Sequence, residues 1–112
     1  MTKVRFPFDN ASAASLTATG AQAISIVDDM TIIDGVTVEA TGNRTINLTI
    51  DDEVIVGARI LLRLNTNGTE TTAFGTGMQG ATLTGAAGKT KNVEFVYTGT
   101  NFVEAGTPVQ ID

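Results

Sequence analysis

The stretch from Arg44 to Asn65, R-T-I-N-L-T-I-D-D-E-V-I-V-G-A-R-I-L-L-R-L-N, sets the tightest limit on what this chain can become. Ile46, Leu48 and Ile50 alternate with Thr45, Asn47 and Thr49, so an extended chain here has one apolar side and one polar side. Ile60, Leu62 and Leu64 repeat the alternation with Arg59 and Arg63 between them, and only Leu61 breaks it. Asp51-Asp52-Glu53 is a charged turn between the two runs, followed by Val54-Ile55-Val56 and Gly57. Two strands with the same sidedness and a short connection are expected in one sheet layer over a shared core.

The rest of the chain keeps to strand periodicity. Ser15 to Thr19 and Gln22 to Val27 read as strands, because Gly20 interrupts the alanine-rich stretch and no helical apolar stripe appears. Met30 to Ile33 and Val36 to Glu39 flank Asp34-Gly35, the pattern of a hairpin with a type I′ turn. Thr41-Gly42-Asn43 breaks the chain, and Asn65 to Thr69 reads as a second hairpin turn with Glu70 to Phe74 returning. Gly75 to Lys89 is glycine-rich and reads as a long loop with one short strand near Ala81 to Thr84. Asn92 to Tyr97 puts Val93, Phe95 and Tyr97 on one face and Glu94 on the other. A turn at Thr98-Gly99 leads to Asn101–Glu104, and Pro108 to Ile111 adds an edge strand. No fixed repeat period appears. The predicted fold class is all-β: an antiparallel β-sandwich of jelly-roll or Greek-key type, with eight to ten short strands and no significant helix.

At 112 residues the chain suits one domain, able to bury about 65% of its unfolded surface. Residues 1–10 stand apart from residues 11–112. Val4, Phe6 and Phe8 alternate with Lys3, Arg5 and Pro7 in an extended N-terminal arm, and the proline keeps that arm off a central ladder position. Tucked on its own body, the arm is an ordinary terminal strand. Docked on a neighbour, it hides two phenylalanines that otherwise sit in water, which makes Val4, Arg5, Phe6 and Phe8 the candidate partner-binding residues.

Composition narrows the chemistry. There is no cysteine and no histidine, so the usual zinc ligands, the usual general base and any disulfide framework are missing. Seven basic residues against twelve acidic ones give a net charge of −5, and the bases are scattered, which is the wrong field for a nucleic-acid groove. The N-terminus lacks the apolar core of a signal peptide and no run approaches a membrane span, so synthesis and folding in a cytoplasm are expected.

The motifs that echo catalytic sites fail in context. Gly75-Thr76-Gly77-Met78-Gln79-Gly80 matches a dinucleotide fingerprint, but no helix is predicted after it. Gly85-Ala86-Ala87-Gly88-Lys89-Thr90 resembles the end of a P-loop, yet Leu83 stands where the leading glycine belongs. Asp28, Asp29, Asp51, Asp52 and Glu53 cluster in turns without the alternating ligand ladder of a calcium loop. Glu39, Glu94 and Glu104 lie on polar strand faces, with no pair predicted to converge across a cleft. No enzyme and no cofactor is expected.

T-I-N-L-T-I-D, V-x-x-G-A-R-I-L-L-R-L, F-G-T-G, G-K-T-K-N-V-E-F-V-Y-T-G-T-N-F-V and the closing P-V-Q-I-D give residues 44 to 112 a texture of short β motifs. In this the chain resembles small β-rich virion proteins of tailed bacteriophages, and Tyr97 to Phe102 is similar to a hairpin of phage structural proteins. The resemblance implies a capsid decoration, auxiliary or head-fibre protein, assembled in the host cytoplasm and resident in the virion. Its implied partners are further copies of itself, as a homo-oligomer such as a trimer, and the major capsid protein. Nucleic acid and membrane are not among them. The alternative is a carbohydrate- or surface-binding β module, which needs exposed aromatic rings for stacking on sugars.

Overall fold

The computed structural model describes residues 11–112. Ten strands follow one another: β1 (Ala11–Ser15), β2 (Gly20–Ile26), β3 (Met30–Ala40), β4 (Arg44–Ile50), β5 (Arg59–Thr66), β6 (Thr71–Phe74), β7 (Met78–Gln79), β8 (Leu83–Thr84), β9 (Thr90–Tyr97) and β10 (Phe102–Gln110). There is no helix among the described residues. The protein is all-β, as the alternation requires.

The strands form two sheets. One has six strands in the order β1-β3-β5-β9-β10-β7 and curls into a half-barrel; the other has four in the order β2-β4-β6-β8. From β1 to β6 the chain switches sheet at every step. Each strand therefore pairs with the one two places on, and does so in parallel: β1 with β3, β3 with β5, β2 with β4, β4 with β6. This corrects the antiparallel expectation. Parallel neighbours need a long crossover, and here the crossover is a strand of the opposite sheet. Jelly-roll and Greek-key connections join antiparallel strands, so neither describes this half of the chain. Antiparallel pairing enters only with β9, which runs against β5 and β10, and at β6 against β8.

Two local expectations change with it. β4 and β5 share sidedness but lie in different sheets, both contributing to one core: Ile46 and Leu48 from β4, Ile60, Leu62 and Leu64 from β5. Asp34-Gly35 is no hairpin, because β3 runs through it and Gly35 pairs with Leu64. Asn65 to Thr69 likewise turns the chain from one sheet into the other, and β6 returns beside β4 and not beside β5.

Asp34 still uses its turn chemistry locally. Its Oδ1 accepts the N–H of Val36 at 2.7 Å and of Thr37 at 3.2 Å, and Oδ2 accepts the Thr37 hydroxyl at 2.6 Å. The Thr37 hydroxyl, then these amides, hold the carboxyl below its ordinary value, helped by the charge of Arg63 and opposed by partial burial. A folded-state value below the unfolded one, about 3.9, stabilises the fold above that pH and ceases to do so as pH falls through the folded value. Asp34→Ala should therefore lower the melting temperature at neutral pH, and the gap to wild type should close in acid. A gap independent of pH would show that the ionised carboxylate contributes nothing.

One core spans both sheets. Ile24 and Ile26 of β2, Ile33 of β3, Val93 and Phe95 of β9, and Phe102 of β10 join the β4 and β5 residues already named. Phe74 meets Phe95 edge-on at 4.9 Å, and Tyr97 stacks on Phe102 across the β9–β10 hairpin, also at 4.9 Å. That hairpin, turning at Thr98 to Asn101, is the one read from the sequence.

The corners between the sheets are stacked as well. Thr41 N donates to Ala18 O at 2.9 Å, Asn67 N to Ala40 O at 2.8 Å, and Gly88 N to Thr66 O at 2.8 Å. Inside this stack lies Arg44, 1% exposed. Its Nη1 donates to the carbonyls of Thr17 at 3.4 Å and Val38 at 3.3 Å, and its Nη2 to that of Asn65 at 3.3 Å. One guanidinium thus ties together the chain leaving β1, late β3 and the end of β5. Only arginine offers a planar fork of donors wide enough for this.

Candidate functional site

The catalytic-looking motifs become packing. Gly77, at φ +78°, lets the chain approach Leu48 so that Met78 can begin β7. A Cβ on Gly85 would sit 2.1 Å from Thr66 Oγ1, so this glycine is there for contact with β5. Neither glycine-rich stretch opens a helix. Asp51 Oδ1 accepts the Glu53 N–H at 2.9 Å and shapes its own turn. Among the described residues, no three His, Cys, Asp or Glu side chains are grouped as a metal site requires. Glu94 pairs with Arg59 across β5 and β9, both side chains being largely exposed, a contact worth about 0 to 1 kcal/mol.

The surface with the most character is the outer face of the six-stranded sheet. The register lays its side chains in rows. Ala13, Ile32, Leu61, Glu94 and Ala105 form a middle row across β1, β3, β5, β9 and β10. Ser15, Asp34, Arg63, Asn92 and Val109 form the next. Ile32 is 40% exposed, and Val109 and Ile111 are 58% and 53% exposed. An apolar stripe is therefore set among charges of both signs.

A shallow groove of about 390 Å³ opens at the β10 end of this face, between Leu61, Asn92, Glu94, Thr107, Val109 and Ile111. Its cause is a break in pairing. The ladder between β9 and β10 loses register between Ala105 and Val109, where Gly106 has φ +87° and Pro108 lacks an N–H to donate. The bulge lifts β10 away from β9, and the gap between them is the groove. The sequence carries the signal for it, Gly106-Thr107-Pro108 inside an otherwise strand-like run, but reading Pro108 onward as a separate edge strand hides the consequence.

The four residues picked out from the sequence, Val4, Arg5, Phe6 and Phe8, lie outside the described residues. What the structure adds is the place where the arm joins the body: directly ahead of β1, the edge strand of the six-stranded sheet. No helix among the described residues is long and apolar enough to cross a membrane. A scan of family models, a search of curated proteins and a search of solved structures each return no match to this chain.

Proposed function

We propose that this protein is a structural component of a phage particle, a capsid decoration or auxiliary protein that holds to neighbouring subunits and to the capsid lattice. The observation that carries the reading is where the apolar side chains go. The inward positions of both sheets go to one core, while Ile32, Val109 and Ile111, with half-buried Leu61, lie on one open sheet face and Val27, Val38, Ile55 and Val56 are exposed as well, as suits a body that works by contact. The resemblance of residues 44 to 112 to phage virion proteins points the same way, with two sheets closed over one core in the manner of a sandwich. Host-cell assembly, residence in the virion and self-association belong to this reading, and no catalytic step does.

A carbohydrate-binding module fits less well. Sugar stacking needs an exposed ring, yet among the described residues Phe95 and Phe102 are fully buried and Phe74 and Tyr97 pack against the core.

In the proposed assembly the arm makes the capsid contact. Two phenylalanines buried in a partner contribute about 3 kcal/mol or more, equivalent to over a hundredfold in affinity. Phe6→Asp/Phe8→Asp should accordingly reduce co-sedimentation with capsids about a hundredfold while the far-ultraviolet circular dichroism stays that of the wild type. Full occupancy by the variant would remove the arm from the contact. Absence of the protein from purified particles would remove the function.

A further inference from the structure

We infer that the first turn of the winding, the paired edges of β1 and β2, is a self-association surface on which two copies of this chain meet end to end about a twofold axis. The inference stands on edge geometry and does not depend on the virion reading. Each sheet has two edge strands. Among the described residues they are β1 and β7 in the six-stranded sheet, and β2 and β8 in the four-stranded sheet. β7 and β8 are two residues long, and shortness is one way proteins keep an edge from pairing. β1 and β2 have five and seven residues, and the four-residue corner Leu16 to Thr19 joins them.

Among the described residues these two edges carry none of the usual protection. From Ala11 to Val27 there is no charged residue and no proline. The side chains beside the open ladders are small: Ala11, Ala13 and Ser15 on β1, and Ala21, Ala23 and Ser25 on β2, all exposed. Nothing in this stretch obstructs an incoming backbone. The end is also held in shape. Gln22, 5% exposed, accepts the Thr17 N–H on Oε1 at 2.9 Å and donates from Nε2 to the Thr17 hydroxyl at 2.8 Å and to the carbonyls of Thr19 and Gly20 at 3.2 Å. In the first corner the Thr17 N–H and the carbonyls of Thr17, Ala18 and Thr19 all have partners within the chain, whereas the outer ladders of β1 and β2 pair with no strand among the described residues.

The partner follows from that geometry. A single added strand satisfies one ladder and leaves the other open, because two packed sheets stand about 10 Å apart. The first turn of a second copy presents two ladders at the same separation. A twofold axis brings each strand against an antiparallel mate, the better-bonded arrangement. Charge agrees: at a net −5 two copies repel, and this segment lets them meet with no like charges facing.

Sedimentation equilibrium of the full chain tests the inference, alongside hydrogen exchange at low and high concentration. The wild type should be a dimer, with amides of residues 11–15 and 20–26 gaining protection as dimer forms. Ala13→Lys/Ala23→Lys should raise the dissociation constant at least a hundredfold with unchanged circular dichroism. Ser15→Lys/Ser25→Lys should do the same, and Thr100→Lys, in the β9–β10 turn, should leave the dimer intact. A wild type that stays monomeric at its highest soluble concentration overturns the inference, as does either double lysine variant dimerising normally. Edge amides protected equally in the monomer would assign the ladders to the chain's own residues 1–10 and also overturn it.

Discussion

Arg44→Met is expected to destabilise the protein by about 3 to 5 kcal/mol, the largest loss foreseen from any single charged position. Methionine matches the length of the aliphatic stem, so little packing is lost; what disappears is the fork of donors. Thr17, Val38 and Asn65 would then each keep a carbonyl that has lost its guanidinium partner, at about 1 to 3 kcal/mol for each one truly buried. Burial is already costly for the native side chain: desolvation lowers the Arg44 pKa, and the charge of Glu70 offsets part of this. Replacing a buried ion pair by apolar residues can be neutral, but that requires removing both partners. Here the partners are backbone and remain. Arg44→Lys should recover only part of the loss, since one ammonium lacks the planar fork that spans three corners. Urea unfolding checks this through a lower midpoint at unchanged slope. A methionine variant within 1 kcal/mol of wild type would mean that water serves those carbonyls equally well.

The same residue shows where the sequence stops being legible. Arg44 stands at the start of an alternating strand, where a base ordinarily faces water, and its role depends on three corners far apart in the chain. The strand code itself is readable: Ile46, Leu48, Ile60, Leu62, Leu64, Val93 and Phe95 all point inward as their period of two demands. That period names a face and not a neighbour, so it cannot say that β4 leaves the sheet holding β5. A parallel winding is betrayed in sequence by an even repeat, and this one has none. Ala11 lies opposite Met30, but Met30 lies opposite Arg59, because β3 with its corner and the loop after β4 are longer than β1 with its corner and the bend after β2. Thr41-Gly42-Asn43 and Asn65 to Thr69 are turn-forming in either topology. Their residue types are the same whether the chain doubles back within a sheet or crosses to the other. The candidate surface was partly hidden for a related reason, since its groove arises from the bulge at Gly106 to Pro108 acting across β9 and β10 together.

Gly35→Ala separates the two meanings of a glycine after an aspartate. In a type I′ turn the glycine is required for its positive φ, and any side chain there costs the same whatever its neighbours. Gly35 is not among the glycines with positive φ. A Cβ placed on it would instead lie 2.7 Å from Leu64 Cδ2, 3.0 Å from the Arg63 carbonyl oxygen and 3.1 Å from Leu16 Cδ1. The cost is therefore one of overpacking, about 2 to 3 kcal/mol, because Leu64 and Leu16 are both core residues with nowhere to retreat. Leu64→Ala alone should cost about 2 to 5 kcal/mol through the cavity it leaves. The double variant is the informative one. The new methyl would enter the space vacated by Cδ2, so the combined loss should fall short of the sum by at least about 1 kcal/mol. Strict additivity would mean that backbone conformation, and not contact with Leu64 in the β3–β5 ladder, reserves this position for glycine.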